Sequence, residues 1–129
     1  MKDLEEIAAI IVGSAINVHS HLGPGLLESA YQKCLCHELQ CHGLEVFCEV
    51  PLPIRYRGIS IDVGYRMDMV VEGRVLIENK TVDKVIPVHE AQLLTYLRLN
   101  GFQLGYLLNW NVVLMKQGIK RMVNNYKKG

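Results

Sequence analysis

The spacing of apolar residues changes near Gly43, and the change limits the folds that the chain can adopt. Before Gly43, apolar side chains recur every three or four residues, as at Leu4, Ile7, Ala8 and Ile11. This is the period of an amphipathic helix. After Gly43 the period falls toward two, which is typical of strands. The sequence therefore predicts helices first and a sheet afterwards.

Turn and breaker residues give the bounds of the predicted elements. The Gly-Pro-Gly sequence at residues 23–25 separates two helices, and Gly43 suits the position just after the second helix. Pro51 and Pro53 favour a sheet edge or a bulge for the strand that contains them. Helices are expected at residues 4–22, 26–42 and 87–100, and strands at residues 45–56, 61–71, 74–82 and 102–113. The order α, α, β, β, β, α, β indicates an α/β fold in which helices flank a mixed sheet, in one domain covering residues 1–129.

Composition limits the functional classes. The chain is 50% hydrophobic and 21% charged, which is enough to bury a core and argues against disorder. Its net charge of +1 gives no general electrostatic signature of a nucleic-acid binder. No apolar run approaches the roughly 18 residues of a membrane span, and the acidic start of the chain is unlike a signal peptide. We therefore expect a cytoplasmic protein with no membrane association.

Four cysteines, Cys34, Cys36, Cys41 and Cys48, lie close together and form no C-x-x-C pair. Without a secretory signal, no disulfide framework is expected. Cys34, His37 and Cys41 would share one face of the second helix, as zinc ligands can. Together with Cys48 they suggest a zinc-stabilised interaction domain. The preferred interpretation is that they are small, semi-buried side chains on a packed helix, and the zinc-stabilised domain is the alternative.

The residues with the clearest chemical meaning are Asp68, Glu78 and Lys80. Alternate residues of a strand point to the same side of a sheet, so Glu78 and Lys80 lie side by side, roughly 7 Å apart at ~3.3 Å per residue. Asp68, on the preceding strand, shares their side only if it opposes an even-numbered residue. A two-residue turn at residues 72–73 would pair Asp68 with Ile77, whereas a three-residue loop or a bulge would bring the carboxylates together. The chemistry thus predicts a hairpin loop of odd length, with its glycine in the left-handed conformation.

Two carboxylates beside a lysine have a specific chemical use. Carboxylate oxygens are suitable ligands for Mg²⁺ or Mn²⁺, and such an ion polarises a phosphate oxygen and lowers the pKa of a bound water. Lys80 would orient that water or offset the charge that develops on the phosphate. The same three residues also suit a solvated strand face held by salt bridges, so the pattern by itself leaves both interpretations open.

Three further side chains are candidates for the same site. Gln92 and Tyr96 are four residues apart on the predicted third helix and therefore share a face. Glu28 lies in the first turn of the second helix. Each also has a structural interpretation: Gln92 as a loop cap, Tyr96 as core, and Glu28 as a residue favoured by the helix dipole.

The chain resembles a known family. Residues 25–31, Gly-Leu-Leu-Glu-Ser-Ala-Tyr, reproduce the G-x-x-E-x-x-Y signature that names a group of small bacterial and archaeal proteins. The resemblance covers nearly the whole chain, through Val50-Pro-Leu-Pro-Ile-Arg-Tyr-Arg-Gly, Arg66-Met-Asp68, His89-Glu-Ala-Gln92-Leu-Leu-Thr-Tyr96-Leu and Gly105-Tyr-Leu-Leu-Asn109-Trp. That family is assigned by similarity to the PD-(D/E)XK nuclease superfamily, and Gln92-x-x-x-Tyr96 resembles the Q-x-x-x-Y motif of RecB-like exonuclease domains.

The resemblance implies a restriction-endonuclease-like α-β-β-β-α-β core, preceded here by an additional N-terminal helix. The implied site consists of the metal ligands Glu28, Asp68, Glu78 and the backbone carbonyl of Asn79, the catalytic lysine Lys80, and the supporting residues Gln92 and Tyr96. Two positions depart from the family pattern: Asn79 replaces an apolar residue, and Trp110 replaces a common phenylalanine. The Asn79 side chain should face away from the site, so its departure concerns packing more than chemistry.

The leading hypothesis is a Mg²⁺- or Mn²⁺-dependent nuclease that hydrolyses phosphodiester bonds in DNA. We also expect a homodimer, because a minimal core would gain DNA contact area by dimerising. The alternative is a catalytically inactive protein of the nuclease fold that binds a nucleic acid or a protein partner. Its near-neutral charge, and the lack of room for a separate DNA-binding module, favour that alternative.

Overall fold

The two N-terminal helices form where the three- and four-residue apolar spacing predicts them. The computed structural model describes residues 2–127, and in it helix α1 spans Leu4–Leu22, as predicted, while α2 spans Glu28–Cys41. The Asp3 carboxylate caps α1 by accepting a 2.8 Å hydrogen bond from the Glu6 N–H. Helix α2 ends before Gly43, whose φ of +80° is the left-handed conformation that glycine adopts readily.

The strands form one mixed sheet of five strands and a separate pair. They are β1 Val46–Pro51, β2 Ile54–Tyr56, β3 Ile59–Ile61, β4 Arg66–Val71, β5 Val75–Lys80, β6 Leu104–Asn109 and β7 Ile119–Val123. The five-stranded sheet has the order β1-β4-β5-β6-β7, and β2 pairs with β3. Strands β5 and β6 are parallel and are connected through helix α3, Pro87–Asn100, whereas the other neighbours are antiparallel. This is the predicted mixed α/β architecture.

Two hydrophobic clusters lie on opposite faces of the sheet. Val75 and Ile77 belong to the cluster that includes α1 and α2, and Leu76 belongs to the cluster that includes α3. Because successive strand residues alternate between faces, Glu78 is on the α3 face and Asn79 is on the face of α1 and α2. The sheet thus determines which helix can reach each side chain of β5.

The predicted strands at residues 45–56 and 61–71 are wrong in their extent. The first is divided into β1 and β2, whereas the second begins only at Arg66, since Ile61 is the last residue of β3. Strands β2 and β3 form a hairpin outside the main sheet. Pro53 has no N–H to continue a ladder, and Gly64 takes a φ of +85°. A 2.9 Å hydrogen bond from the Leu52 N–H to the Tyr65 carbonyl closes the base of this excursion. The expected edge position is confirmed, since β1 is the outer strand beside β4.

The C-terminal part departs from its prediction less strongly. The strand expected at residues 102–113 is confined to β6, and the chain then forms a short 3₁₀ helix, Met115–Gly118, before β7. Strand β7 pairs with β6 and makes the second edge of the sheet. In the part of the chain that is described, no helix combines the length and apolar character needed to cross a bilayer.

Candidate active site

The β4–β5 hairpin places Asp68 opposite Glu78. Val71 pairs with Val75 and Met69 pairs with Ile77, so the loop comprises the three residues 72–74. Both Glu72 and Gly73 have positive φ values, +55° and +62°. The prediction of an odd-length loop with a left-handed glycine is therefore confirmed, and the two carboxylates belong to the same side of the hairpin.

Where β4 and β5 reach Asp68 and Glu78, hydrogen bonds from backbone N–H groups to carboxylates take the place of the backbone–backbone hydrogen bonds between the strands. The backbone N–H of Asp68 donates a 2.8 Å hydrogen bond to Oε2 of Glu78. In turn, the backbone N–H of Asn79 donates a 2.7 Å hydrogen bond to Oδ2 of Asp68. Beyond this point β4 continues along β1, and β5 continues along β6. The strands thus separate around the carboxylates, and the reciprocal bonds fix the position of both.

Burial and mutual repulsion make the charged form of this pair costly. Glu78 is only 5% exposed, and burial, followed by the charge of Asp68, raises its pKa to about 8. Burial also raises the pKa of Asp68, although the hydrogen bond from Asn79 and the charge of Lys80 oppose this. Two carboxylates that resist ionisation together are a suitable environment for a cation, since it would compensate both charges.

The free oxygens of the pair allow such a cation. Each carboxylate uses one oxygen in the reciprocal hydrogen bonds, and Oδ1 of Asp68 and Oε1 of Glu78 accept none from residues 2–127. Oxygen donors on rigid strands match the preference of Mg²⁺ and Mn²⁺. Nevertheless, within residues 2–127 no three His, Cys, Asp or Glu side chains are grouped as a metal site. The pair therefore fits a divalent ion that takes only two of its ligands from these carboxylates.

Glu28 lies near the pair but does not join it in such a group. It is the exposed first residue of α2. Burial raises its pKa, as does the charge of Asp68, whereas Lys80 lowers it. The preceding loop is braced by Tyr31, whose hydroxyl donates to the Gly23 carbonyl at 2.5 Å and accepts from the Leu26 N–H at 3.1 Å. The aromatic residue of the G-x-x-E-x-x-Y sequence thus helps to position its glutamate.

Lys80, Gln92 and Tyr96 form a chain of side chains on the α3 face. The Lys80 ammonium donates to Oε1 of Gln92 at 3.4 Å, and Nε2 of Gln92 donates to the Tyr96 hydroxyl at 3.3 Å. Burial raises the pKa of Tyr96, and the charge of Glu78 adds to this. Helix α3 therefore brings Gln92 to the lysine of β5 and places Tyr96, one turn later, against Gln92.

Asn79 faces away from these groups, as predicted. Its side chain is buried on the opposite face, where Oδ1 accepts a 2.9 Å hydrogen bond from the Trp110 indole N–H. Its amide nitrogen donates to Oε1 of Gln32 at 3.2 Å. The polar side chain is therefore satisfied within the core, while its backbone N–H holds Asp68.

Two residues near the site were not identified from the sequence. Glu49 lies opposite Asp68 across the β1–β4 pair and has a φ of +54°. Its charge raises the pKa of both Asp68 and Glu28, and its Oε1 accepts a 3.0 Å hydrogen bond from Gln32. Gln32 is four residues after Glu28, so the helical period offered a signal for it. For Glu49 the signal would have been the β1–β4 register, which local spacing does not specify.

The cysteines do not form one cluster. Sγ of Cys41 lies 3.6 Å from Nε2 of His37, on the exposed side of α2. Cys48 instead lies near Cys36, and burial together with a hydrogen bond between these thiols raises the pKa of Cys48 to about 12. All four cysteines are free. The proposed group of Cys34, His37, Cys41 and Cys48 is therefore not assembled as a zinc site in the described structure.

Comparison with known proteins identifies a family for this chain. The family model of the PD-(D/E)XK nuclease superfamily matches residues 5–122. No curated protein and no solved structure gives a significant match. The mixed sheet and its three helices are consistent with a restriction-endonuclease-like fold. Because the match covers most of its length, the chain belongs to the PD-(D/E)XK nuclease superfamily.

Proposed function

We propose that this protein is a Mg²⁺- or Mn²⁺-dependent nuclease that hydrolyses phosphodiester bonds in DNA. The observation that carries the proposal is the opposed pair Asp68 and Glu78, each with one free oxygen where the strands separate. The charge of Lys80 lowers the pKa of both carboxyl groups and so opposes the effect of burial. Membership of the superfamily supports a nuclease and, with it, a nucleic-acid substrate.

In this mechanism Asp68 and Glu78 hold the divalent ion through the two free carboxylate oxygens. The bound ion would supply Lewis acidity to a phosphate oxygen and lower the pKa of a water molecule. We assign Glu28 and the backbone carbonyl of Asn79 as further ligands. The charge of Asp68 raises the pKa of Glu28, and the charge of Glu28 contributes to the raised pKa of Glu78, which supports the assignment of Glu28.

Lys80 acts on the substrate and on the attacking water. Its ammonium offsets the charge that accumulates on the phosphate oxygens in the transition state and orients the water. The hydrogen bond to Gln92 restrains the ammonium, and Tyr96 restrains Gln92. We therefore treat Lys80 as the catalytic cation and the two α3 residues as its positioning residues.

Cleavage of end-labelled DNA by the purified protein, with Mn²⁺, Mg²⁺ or EDTA, tests the proposal. Asp68→Asn and Lys80→Ala should each lower the rate by at least ~100-fold, the usual effect of removing a group that stabilises the transition state. Glu90→Gln is the matched control, since Glu90 pairs with Lys120 at 3.7 Å, away from the carboxylate pair. Cleavage that persists in Asp68→Asn and Lys80→Ala, or in EDTA, would contradict the proposal.

A nuclease-fold protein that binds without cutting is the second candidate. It is favoured by the absence of a three-residue metal group among residues 2–127 and by the net charge of +1. Calorimetric titration with Mn²⁺ separates the candidates, because the nuclease requires ion binding that Asp68→Asn abolishes. Oligonucleotide binding without any response to Mn²⁺ would favour the non-cleaving protein.

We also place the chain in the G-x-x-E-x-x-Y group of the superfamily, as one cytoplasmic domain that forms a homodimer. The positive φ of Gly25, +98°, and the bracing by Tyr31 give physical reasons for two residues of that signature. Analytical ultracentrifugation tests the dimer, and a monomer at micromolar concentration would contradict it.

A further inference from the structure

The β2–β3 hairpin stands apart from the main sheet. Its strands pair with each other and, within the described chain, with no other strand. Arg57 and Gly58 form the two-residue turn, with φ values of +48° and +83° that suit a tight hairpin. Since a two-stranded hairpin has little core of its own, its side chains are available for contact with another molecule.

One face of the hairpin is apolar and aromatic. Tyr56 pairs with Ile59 and Ile54 pairs with Ile61, which places these four side chains on the same face. Tyr56 is 58% exposed and Ile59 is 57% exposed. Tyr65, at the base of the hairpin, is 47% exposed. This surface offers aromatic rings and aliphatic groups to an apolar planar partner.

The same segment carries a local excess of positive charge. Residues 54–66 contain Arg55, Arg57 and Arg66, but only one acidic residue, Asp62. The segment therefore carries +2, although the whole chain carries only +1. Among residues 2–127 no carboxylate forms an ion pair with these arginines. The Arg57 guanidinium lies 5.6 Å from the centre of the Tyr56 ring, so a cation and an aromatic face are adjacent.

The hairpin is connected to the candidate active site. The Tyr65 ring packs edge-on against Tyr96, with ring centres 6.4 Å apart. Tyr96 in turn contacts Gln92, which holds Lys80. Arg66 begins β4, two residues before Asp68. A nucleic-acid strand bound along the hairpin would therefore lie next to the carboxylate pair.

We infer that the β2–β3 hairpin and its base, residues 54–66, bind a single-stranded nucleic acid and guide it to the site of Asp68 and Glu78. The inference rests on the proposed function and adds the class of substrate. Unpaired bases stack on exposed aromatic side chains, and arginines neutralise the phosphates between them. In a duplex the bases are already stacked on one another, so Tyr56 and Tyr65 would gain little. The aromatic and cationic groups together thus favour a single strand.

Fluorescence anisotropy of a 5′-labelled oligonucleotide in EDTA tests binding without cleavage. The probes are single-stranded DNA, RNA of the same sequence, and the DNA duplex. Tyr56→Leu should weaken single-strand binding by about tenfold through the loss of stacking. The double variant Arg55→Ala/Arg57→Ala should reduce the steepness of the dependence of log affinity on log salt concentration. The slope should become less negative by about 1.4, since each contact to a single-strand phosphate contributes about 0.7.

Arg98→Ala is the matched control. Arg98 is also an exposed arginine, but it lies with Gly73 and Arg74 at the far end of the β4–β5 hairpin. It should change neither the affinity nor the salt dependence. Circular dichroism melting of each variant identifies a loss of folding, and an unchanged melting temperature assigns the binding defect to the hairpin surface.

The outcomes separate this inference from the proposed nuclease activity. Weaker single-strand binding in the hairpin variants supports the inference, whether or not the wild type cuts in Mn²⁺. Equal binding by wild type and hairpin variants overturns it, even if Mn²⁺-dependent cleavage establishes the nuclease. Tighter binding of the duplex than of either single strand also overturns it. A preference between the DNA and RNA probes identifies which single strand the hairpin accepts.

Discussion

Asp68 lies directly opposite Glu78, and its backbone N–H donates a 2.8 Å hydrogen bond to the Glu78 carboxylate. Thus a group of the main chain, rather than a second side chain, holds the buried acid in place. The hydrogen bond favours the charged form of Glu78, whereas burial and the charge of Asp68 oppose it more strongly and raise its pKa to about 8. The pair is therefore well ordered but electrostatically unfavourable without a cation.

Glu78→Gln should stabilise the metal-free protein at high pH. A carboxyl group whose pKa is raised from 4.5 to about 8 by folding binds more protons in the folded state than in the unfolded state. The free energy of unfolding of the wild type should therefore fall as the pH rises through this range, by a few kcal/mol at ~1.4 kcal/mol per pKa unit. Glutamine keeps an oxygen for the Asp68 N–H and carries no charge. Urea unfolding in EDTA between pH 5 and pH 9 measures the difference in the free energy of unfolding between the wild type and Glu78→Gln.

Mn²⁺ should reverse this order of stability at pH 8. The ion would compensate the charge of the pair in the wild type, and ligand binding to the folded state raises its stability. It should stabilise Glu78→Gln much less, while Glu90→Gln should respond like the wild type. Equal stabilisation of all three proteins would show that the ion binds elsewhere.

Two glycine substitutions should change stability in opposite directions. Gly73 has a φ of +62°, and an added Cβ meets no atom within 4 Å, so Gly73→Ala is opposed by its backbone conformation alone. A left-handed conformation costs a non-glycine residue about 1–2 kcal/mol. Gly13 lies within α1, where an added Cβ also meets nothing. Gly13→Ala should therefore stabilise by about 1 kcal/mol. Thermal unfolding checks both values, and destabilisation by Gly13→Ala would contradict the helix assignment.

The sequence predicted the parts of the fold that depend on local spacing. Helix α1, the gap before α2 and the stop at Gly43 follow from apolar period and breaker residues, which act over a few positions. The odd-length loop followed from a chemical requirement, since only that register brings Asp68 opposite Glu78. Helical period likewise placed Gln92 and Tyr96 on one face of α3, where Gln92 contacts Lys80 and Tyr96 contacts Gln92.

The sequence did not predict features that depend on pairing between distant segments. The separation of the β2–β3 hairpin from the main sheet was not predicted. Its base is closed by a hydrogen bond between Leu52 and Tyr65, 13 residues later. Glu49 approaches Asp68 only because β1 pairs with β4. Local hydrophobic spacing is the same for several registers, so neither contact could be read from it.

Gln92→Ala should reduce nuclease turnover more than Tyr96→Phe does. Gln92 contacts the Lys80 ammonium directly, whereas the Tyr96 hydroxyl reaches Lys80 only through Gln92. Loss of a residue that positions a catalytic group typically costs roughly 10- to 100-fold. We expect that loss in kcat for Gln92→Ala, a smaller one for Tyr96→Phe, and none for the exposed control Thr95→Ala. Steady-state cleavage kinetics compare the three, and a larger defect in Tyr96→Phe would contradict the proposed order of contacts.

The two buried polar side chains of Asn79 and Trp110 should be energetically coupled. The Trp110 indole N–H donates to Asn79 in the core, 2.9 Å away, so Asn79→Leu would leave it without an acceptor. A buried unsatisfied donor costs about 1–3 kcal/mol. Trp110→Phe removes that donor, and the double variant should therefore lose about 1 kcal/mol less than the two single losses combined. Urea unfolding of the four proteins gives this coupling energy. The control is Asn79→Leu combined with Val113→Ala, at an 83% exposed position, where the two losses of unfolding free energy should add. If the losses of Asn79→Leu and Trp110→Phe also add, the hydrogen bond contributes nothing to stability.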